Sequence, residues 1–262
     1  MRLEWSGHST EVREAGAGPS IVLVHGYPLD GAMWSGVART LATRFRVLKP
    51  DLPGRGENPA PAPRDLEGHA DFVEALVREL PPPVGLAGFS MGGYVCLALL
   101  RRHLDTVRAL ALVDTRSEAD DEEGRKKRDE AIATVRTAGV SKIAEVMVPR
   151  LLSPASAANR DLVDRLRRII LRQRPETVEA DLAAMRDRRD SVELLRDIRL
   201  AALVLVGEQD ALTPPALSEK MASAIAGARL VRIPSAGHLT PMERPGAVAE
   251  ALGDFFASSL AA

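Results

Sequence analysis

The chain has little of what several classes of protein depend on. It holds one cysteine in 262 residues, so no disulfide can form within it. Its 35 basic and 36 acidic side chains give a net charge of −1, which argues against nucleic acid or an acidic membrane surface as the main partner. No uninterrupted apolar run is long enough to span a bilayer, so we expect no membrane partner.

The rest of the composition is typical of a globular protein, with 45% hydrophobic and 27% charged residues. A chain of this length can bury a large core, either as one α/β domain or as a domain with an insertion. Residues 1–5 lead directly into polar residues and do not resemble a signal peptide. Together with the single cysteine, this predicts a cytoplasmic protein.

One stretch of sequence organises the rest. Residues 84–87 predict a buried strand and residues 94–100 a helix, with Gly88-x-Ser90-x-Gly92 between them. This is the spacing of a nucleophile elbow, in which a sharp strand-to-helix turn holds the serine in a strained backbone conformation. Glycine is expected on both sides because side chains there would collide with the strand or the helix.

Predicted strands and helices alternate along most of the chain. A hairpin is predicted within residues 3–13, and further strands at residues 21–24, 45–49, 107–113, 202–207 and 229–233. Strands that alternate with helices require a parallel sheet with right-handed crossovers.

The alternation stops between residues 117 and 190, where charged amphipathic helices are predicted and no strand. We therefore predict an α/β core formed by residues 1–116 and 191–262, with residues 117–190 inserted as a helical cap. The charged run at residues 120–128 favours a solvated helix face with Glu122–Lys126 and Glu123–Lys127 pairs, each worth about 0.3–0.5 kcal/mol.

A serine hydroxyl needs a neighbouring base, oriented by a third group, to become a nucleophile. Two histidines follow Ser90 in the chain. His103 falls more than three turns along the helix that leaves the elbow and is expected to point away. His238 follows the last predicted strand, so we predict that it is the base.

Three carboxylates are candidates for the third group. Asp210 follows the predicted strand before the last one, which should neighbour the strand of His238, and it is preferred. Asp114 follows the strand after the elbow, where a hinge or helix-capping role would also explain it. Glu208 is a weaker candidate, since a solvated loop charge accounts for it.

Two backbone N–H groups are candidates for stabilising a developing oxyanion. Met91 directly follows the elbow serine, and Tyr27 lies in the loop after the strand at residues 21–24. Gly26 would permit that turn, and His25 is expected to hold it by hydrogen bonds. No Cys/His cluster has zinc-site spacing, and no glycine-rich loop carries the lysine needed for nucleotide phosphates, so no metal site is predicted.

Five motifs together resemble one known group of proteins. They are His25-Gly26-Tyr27-Pro28, Asp51-Leu52-Pro53-Gly54-Arg55-Gly56, Gly88-Phe89-Ser90-Met91-Gly92-Gly93, Gly207-Glu208-Gln209-Asp210 and Ala236-Gly237-His238. In this order they resemble enzymes of the α/β-hydrolase fold, most of all small cytoplasmic carboxylesterases and 3-oxoadipate enol-lactonases. The resemblance implies an eight-stranded, mostly parallel sheet with helices on both faces and a helical lid, a cofactor-free mechanism and the triad Ser90, Asp210 and His238.

We expect a serine hydrolase that cleaves carboxylic esters of small or medium acyl chains through an acyl-enzyme. A lactonase, or a hydrolase of C–C bonds, with the same triad is the alternative, and a binding protein with little turnover is a third. Met33, Trp34 and Met147 are candidates to line an apolar substrate pocket and equally to belong to the core. The expected partner is a small ester or lactone, and the expected state is a monomer or small homo-oligomer.

Overall fold

A computed structural model describes residues 1–102 and 106–261 of the chain, and His103 lies outside them. The strands are Arg2–Trp5 (β1), His8–Glu11 (β2), Arg13–Ala15 (β3), Ser20–Val24 (β4), Arg46–Lys49 (β5), Val84–Phe89 (β6), Val107–Val113 (β7), Ala201–Gly207 (β8) and Arg229–Ile233 (β9). The helices are Ser35–Leu41 (α1), Leu66–Arg78 (α2), Met91–Leu100 (α3), Glu122–Leu151 (α4), Pro154–Ala157 (α5), Arg160–Leu171 (α6), Pro175–Arg186 (α7), Pro215–Ala224 (α8), Thr240–Glu243 (α9) and Pro245–Ser259 (α10).

The main sheet of the described chain has seven strands in the order β3-β5-β4-β6-β7-β8-β9. All neighbouring pairs are parallel except β3 with β5. The fold is therefore the mostly parallel α/β arrangement expected from the alternation. β4 and β6 are neighbours, but the connection from β4 leads to β5 on one side and the connection from β6 leads to β7 on the other. Ligands of open α/β sheets bind beside the carboxyl ends of the strands at such a point.

The expected number of eight strands in this sheet is corrected to seven. β1 and β2 pair only with each other, with Trp5 opposite His8 across a turn in which Ser6 and Gly7 both have positive φ. The Trp5 ring packs edge-on against Phe72 of α2, with ring centroids 5.6 Å apart. The predicted hairpin thus exists, but it covers a helix and does not extend the sheet.

Helix α2 illustrates how local sequence determines an element. Its N-cap is Asp65, whose side chain accepts a hydrogen bond from the Gly68 N–H at 2.7 Å. Phe72, Val73 and Leu76 recur at helical spacing and are fully buried. The central strands β4 and β6 are buried along their whole length, as expected for parallel strands covered on both faces.

Between β7 and β8 the chain forms α4 to α7, which lie within residues 117–190, called the helical segment below. Glu123 and Lys127 form the expected ion pair, at 2.6 Å on an exposed face. Within the described residues Glu122 and Lys126 form none. The limits of this segment as a separate cap stay a prediction. Among residues 1–102 and 106–261, none of the helices combines the length and the hydrophobicity of a transmembrane span.

Candidate active site

The turn between β6 and α3 holds Ser90 at φ +50° and ψ −114°, in the positive-φ region that residues other than glycine seldom adopt. A Cβ on Gly88 would lie 2.6 Å from the Cys96 sulfur, and one on Gly92 would lie 2.7 Å from the His25 carbonyl oxygen. Glycine is therefore required on both sides of the serine. Cys96 is fully buried, and burial raises the pKa of its thiol.

The imidazole of His238 connects Ser90 with Asp210. Its Nε2 lies 3.0 Å from Ser90 Oγ, and its Nδ1 lies 2.8 Å from Asp210 Oδ2. His238 and Asp210 are each 3% exposed, whereas Ser90 is half-buried. A carboxylate only accepts hydrogen bonds, so the Nδ1–H donates to Asp210 and leaves Nε2 to accept from the serine hydroxyl.

Asp210 is held by its own loop. Its Oδ1 accepts the backbone N–H groups of Leu212 and Thr213 at 2.8 and 2.9 Å, and the Thr213 hydroxyl donates to Oδ2 at 2.6 Å. Burial on its own raises the pKa of this carboxyl, but His238 and the Thr213 bonds outweigh burial and lower it. Asp210 is therefore ionised and fixed in place beside the imidazole.

The other two candidate carboxylates are placed differently. Asp114 is fully buried at φ +45°. Its Oδ1 accepts the Gly207 N–H at 2.9 Å, and its Oδ2 bonds the Thr240 hydroxyl. Burial, reinforced by the charge of Asp210, raises the pKa of Asp114 well above its ordinary value. Glu208 is exposed. Of the three, the structure brings Asp210 to the histidine.

The loop after β4 approaches the elbow closely. A Cβ on Gly26 would lie 2.8 Å from the Phe89 carbonyl oxygen and 3.0 Å from Ser90 Cβ, so only glycine fits. His25 is fully buried, which lowers its pKa, and its Nε2 accepts the Leu52 N–H at 3.0 Å. Its Nδ1–H then donates to the Gly26 carbonyl at 3.1 Å. His25 is therefore a neutral hydrogen-bonding group that holds this loop, as expected.

The two candidate oxyanion donors lie next to the point where the loop after β4 approaches the elbow. Tyr27 follows Gly26, and Met91 is the first residue of α3. Within residues 1–102 and 106–261, neither backbone N–H donates to a protein acceptor. The role of these two N–H groups as oxyanion donors stays a prediction.

The three candidate pocket residues lie in or against the hydrophobic core. Met33 and Trp34 are 1% and 0% exposed, and the Trp34 ring packs edge-on to Phe89 at 6.4 Å. Met147 of α4 is half-buried against the same core. Their membership of the core is observed, and a contact with substrate stays a prediction.

Ion pairs between the helical segment and the loops of the sheet, one of them fully buried, were not predicted from the sequence. Arg55 Nε donates to Asp181 of α7 at 2.9 Å, and His69 Nε2 lies 3.2 Å from the other oxygen of that carboxylate. Asp30, in the loop after β4, accepts from Arg172 Nε at 2.7 Å. Both pairs join the helical segment to the sheet. Arg55 and Asp181 are 126 positions apart, and no local pattern relates them.

Comparisons with known proteins agree with this fold. The sequence pattern of the Alpha/beta hydrolase family matches residues 21–251. The chain belongs to this family. Over 233 residues it is 31% identical to a pimeloyl-[acyl-carrier protein] methyl ester esterase of Chromobacterium violaceum, a match that covers 87% of this chain and 90% of that protein.

Two solved structures of this family share the whole architecture. A thermophilic esterase from Thermogutta terrifontis, with malate bound, is 36% identical at a TM-score of 0.94, and the match covers 100% of this chain and 99% of that one. The enol-lactonase from Burkholderia xenovorans LB400 is 27% identical at a TM-score of 0.89, with 98% and 100% covered. The expected family and fold are confirmed.

Proposed function

We propose that the protein is a serine esterase that hydrolyses carboxylic esters of small or medium acyl chains through an acyl-enzyme. Relatives and solved neighbours that are esterases and a lactonase establish hydrolysis of a carboxylic ester as the class of reaction. One observation carries the finer proposal. A single buried imidazole, that of His238, lies within hydrogen-bond distance of both Ser90 Oγ and Asp210 Oδ2.

In the first step, Nε2 of His238 takes the proton of the Ser90 hydroxyl while Oγ attacks the carbonyl carbon of the ester. Asp210 stabilises the imidazolium that forms, since its carboxylate is ionised and already bonded to Nδ1. The carbonyl oxygen becomes an oxyanion and accepts the N–H groups of Tyr27 and Met91. Such donors are worth roughly 3 kcal/mol each in the transition state.

In the second step, the imidazolium gives its proton to the departing alcohol, and the acyl group stays on Ser90. Water then attacks the acyl carbon while Nε2 of His238 takes one of its protons. The bond from the acyl carbon to Ser90 Oγ breaks, Nε2 returns the proton to Oγ, and the free acid leaves. Every proton passes through the same nitrogen, His238 Nε2. The proposed triad and donors therefore account for both halves of the reaction.

The acyl and alcohol portions of the substrate are proposed from the relatives. The Chromobacterium protein is named for the methyl ester of pimeloyl-[acyl-carrier protein], which suggests a small leaving alcohol and an acyl chain of medium length for this enzyme as well. Lactone hydrolysis is the second candidate, because the enol-lactonase matches nearly the whole chain. A small ester or lactone is the proposed partner, and a cytoplasmic location stays a prediction.

Replacement of the nucleophile tests the proposal. For Ser90→Ala we expect kcat/KM on p-nitrophenyl acetate to fall by roughly 10⁴- to 10⁶-fold. Ser258→Ala is the matched control, because Ser258 is an exposed serine of α10 that bonds the Asp254 carbonyl. Fluorophosphonate should label the wild type and Ser258→Ala but leave Ser90→Ala unmodified. Undiminished hydrolysis by Ser90→Ala would overturn the mechanism.

The choice of substrate is tested separately on the wild type. Methyl and p-nitrophenyl esters with acyl chains of two to ten carbons are compared with a set of lactones by kcat/KM. We expect the highest kcat/KM for an ester. A lactone with a higher kcat/KM than every ester would favour lactone hydrolysis as the function.

A further inference from the structure

Glu243, the last residue of α9, joins two parts of the molecule that are far apart in sequence. Its buried carboxylate accepts the Gly237 N–H on Oε1 and the Ser153 N–H on Oε2, both at 2.9 Å. Ser153 follows the end of α4 in the helical segment, and Gly237 directly precedes His238. Each oxygen has one donor, so both backbone groups are satisfied by a single side chain.

The contact continues on the other side of the histidine. The N–H of Leu239 donates to the carbonyl of Leu151, the last residue of α4, at 2.9 Å. A Cβ on Gly237 would lie 2.5 Å from the Ser153 nitrogen, so this approach leaves no space for a side chain. The residues before and after His238 are therefore both fixed to the end of α4.

We propose that Glu243 is a positioning residue, which fixes the imidazole of His238 relative to the helical segment and so helps to set the distance from Nε2 to Ser90 Oγ. The inference rests on the proposed function, because it takes His238 as the base. Glu243 acts through the two backbone N–H groups and has no contact with the reacting atoms.

The carboxylate is needed because both of its oxygens accept. Hydrogen bonds to an ionised acceptor are also stronger than neutral ones. Glutamine has the same shape but one oxygen and one NH₂ group, so one of the two N–H groups would face a donor. The loop of His238 or the end of α4 must then move, and a displacement of about 1 Å can lower a rate by roughly 100-fold.

The test compares Glu243→Gln with the wild type and with Glu250→Gln, which changes an exposed glutamate on α10. The number of active sites is first titrated by the extent of fluorophosphonate labelling. For Glu243→Gln we expect kcat per titrated site on p-nitrophenyl acetate to fall by roughly 10- to 100-fold with little change in KM. Glu250→Gln should match the wild type.

A purely structural role would give a different result. In that case Glu243→Gln would lower the melting temperature but keep the wild-type kcat per titrated site, and the inference would be overturned. Proton NMR gives a readout without turnover, because the downfield resonance of the His238 Nδ1–H should broaden or shift in Glu243→Gln and stay in place in Glu250→Gln. An unchanged resonance in both variants contradicts the proposal.

Gly237→Ala is the second variant, to be used if Glu243→Gln does not fold. The added methyl group disturbs the same contact from the other side, and the same loss of kcat is expected. Wild-type kcat in a folded Gly237→Ala variant would refute the inference. A wild-type enzyme without esterase activity would instead refute the proposed function, so the two failures are distinguishable.

Discussion

Two regions of the molecule bury charged side chains and stabilise these charges differently. One is the edge of the sheet where Ser90, Asp210 and His238 lie, called the loop end below, and the other is the contact between the sheet and the helical segment. At the loop end, Asp210 bonds the N–H groups of its own loop and an imidazole. At the contact, Asp181 bonds the guanidinium of Arg55 with one oxygen, and its other oxygen lies 3.2 Å from the imidazole of His69. A guanidinium keeps its charge, so Arg55 holds Asp181 in a fixed arrangement. Asp210 instead bonds an imidazole that also lies within hydrogen-bond distance of the Ser90 hydroxyl, an arrangement suited to moving a proton.

The loop end itself contains two contrasting aspartates. Asp210 has a lowered pKa and contacts His238, whereas Asp114 has a raised pKa and bonds Gly207 and the Thr240 hydroxyl. Gly207 ends β8, and Thr240 begins α9, two residues after the histidine. Asp114 thus links the two loops that carry the base and the acid without a bond to the imidazole.

The same substitution at these two aspartates gives the largest difference we expect. Asp210→Asn should lower kcat by about 10⁴-fold, since an amide can hold the imidazole in the wrong tautomer. Asp114→Asn should lower it by less than about 10-fold, because its amide can still accept the Gly207 N–H and donate to Thr240. The measurement is kcat on p-nitrophenyl acetate for folded protein. Equal losses would assign part of the acid role to Asp114.

The residues at the loop end could be predicted from the sequence because each is located by the short stretch of chain directly before it. Each candidate follows a short apolar strand, and parallel strands end at the same edge of the sheet, so Ser90, Asp210 and His238 were expected to converge. The geometry brings these three together. Their chemical roles stay a prediction until the substitutions are measured.

The contact with the helical segment could not be predicted in this way. Which face of α7 meets Arg55 depends on where α7 lies in the folded protein. The sequence around Asp181 does not encode that position. Two signals in the sequence point to this contact: Arg55 lies in the motif at residues 51–56, and His69 falls on the apolar face of α2. The hairpin is predicted from the sequence, but its position outside the main sheet is not, because the packing of Trp5 on Phe72 is a long-range contact.

Disrupting the contact tests whether it is structural. Asp181→Leu leaves Arg55 as an unpaired buried charge, which should lower the free energy of unfolding by about 3–5 kcal/mol. The double variant Arg55→Met/Asp181→Leu should be more stable than Asp181→Leu, since neither charge remains. Urea unfolding checks both, with Lys127→Ala as the control for an exposed pair that is worth less than about 1 kcal/mol. A single variant as stable as the wild type would contradict this assignment.

The smallest effect expected is the acid dependence of the same contact. Burial alone raises the pKa of Asp181, but Arg55 and His69 more than compensate, so the pKa in the folded protein lies below its usual value. Unfolding restores the usual value, near 3.9, so the pair contributes its full stability above that pH and loses it as the pH falls through the folded pKa. The stability difference between wild type and Arg55→Met/Asp181→Leu should therefore stay constant above about pH 5 and shift against the wild type as the pH falls below it in urea unfolding. Asp30 and Asp120 also have lowered pKa values. Both proteins keep these residues, so their contribution to the acid dependence cancels in the difference. Parallel curves for the two proteins would show that Asp181 does not titrate on unfolding, and the contact would then contribute no acid dependence.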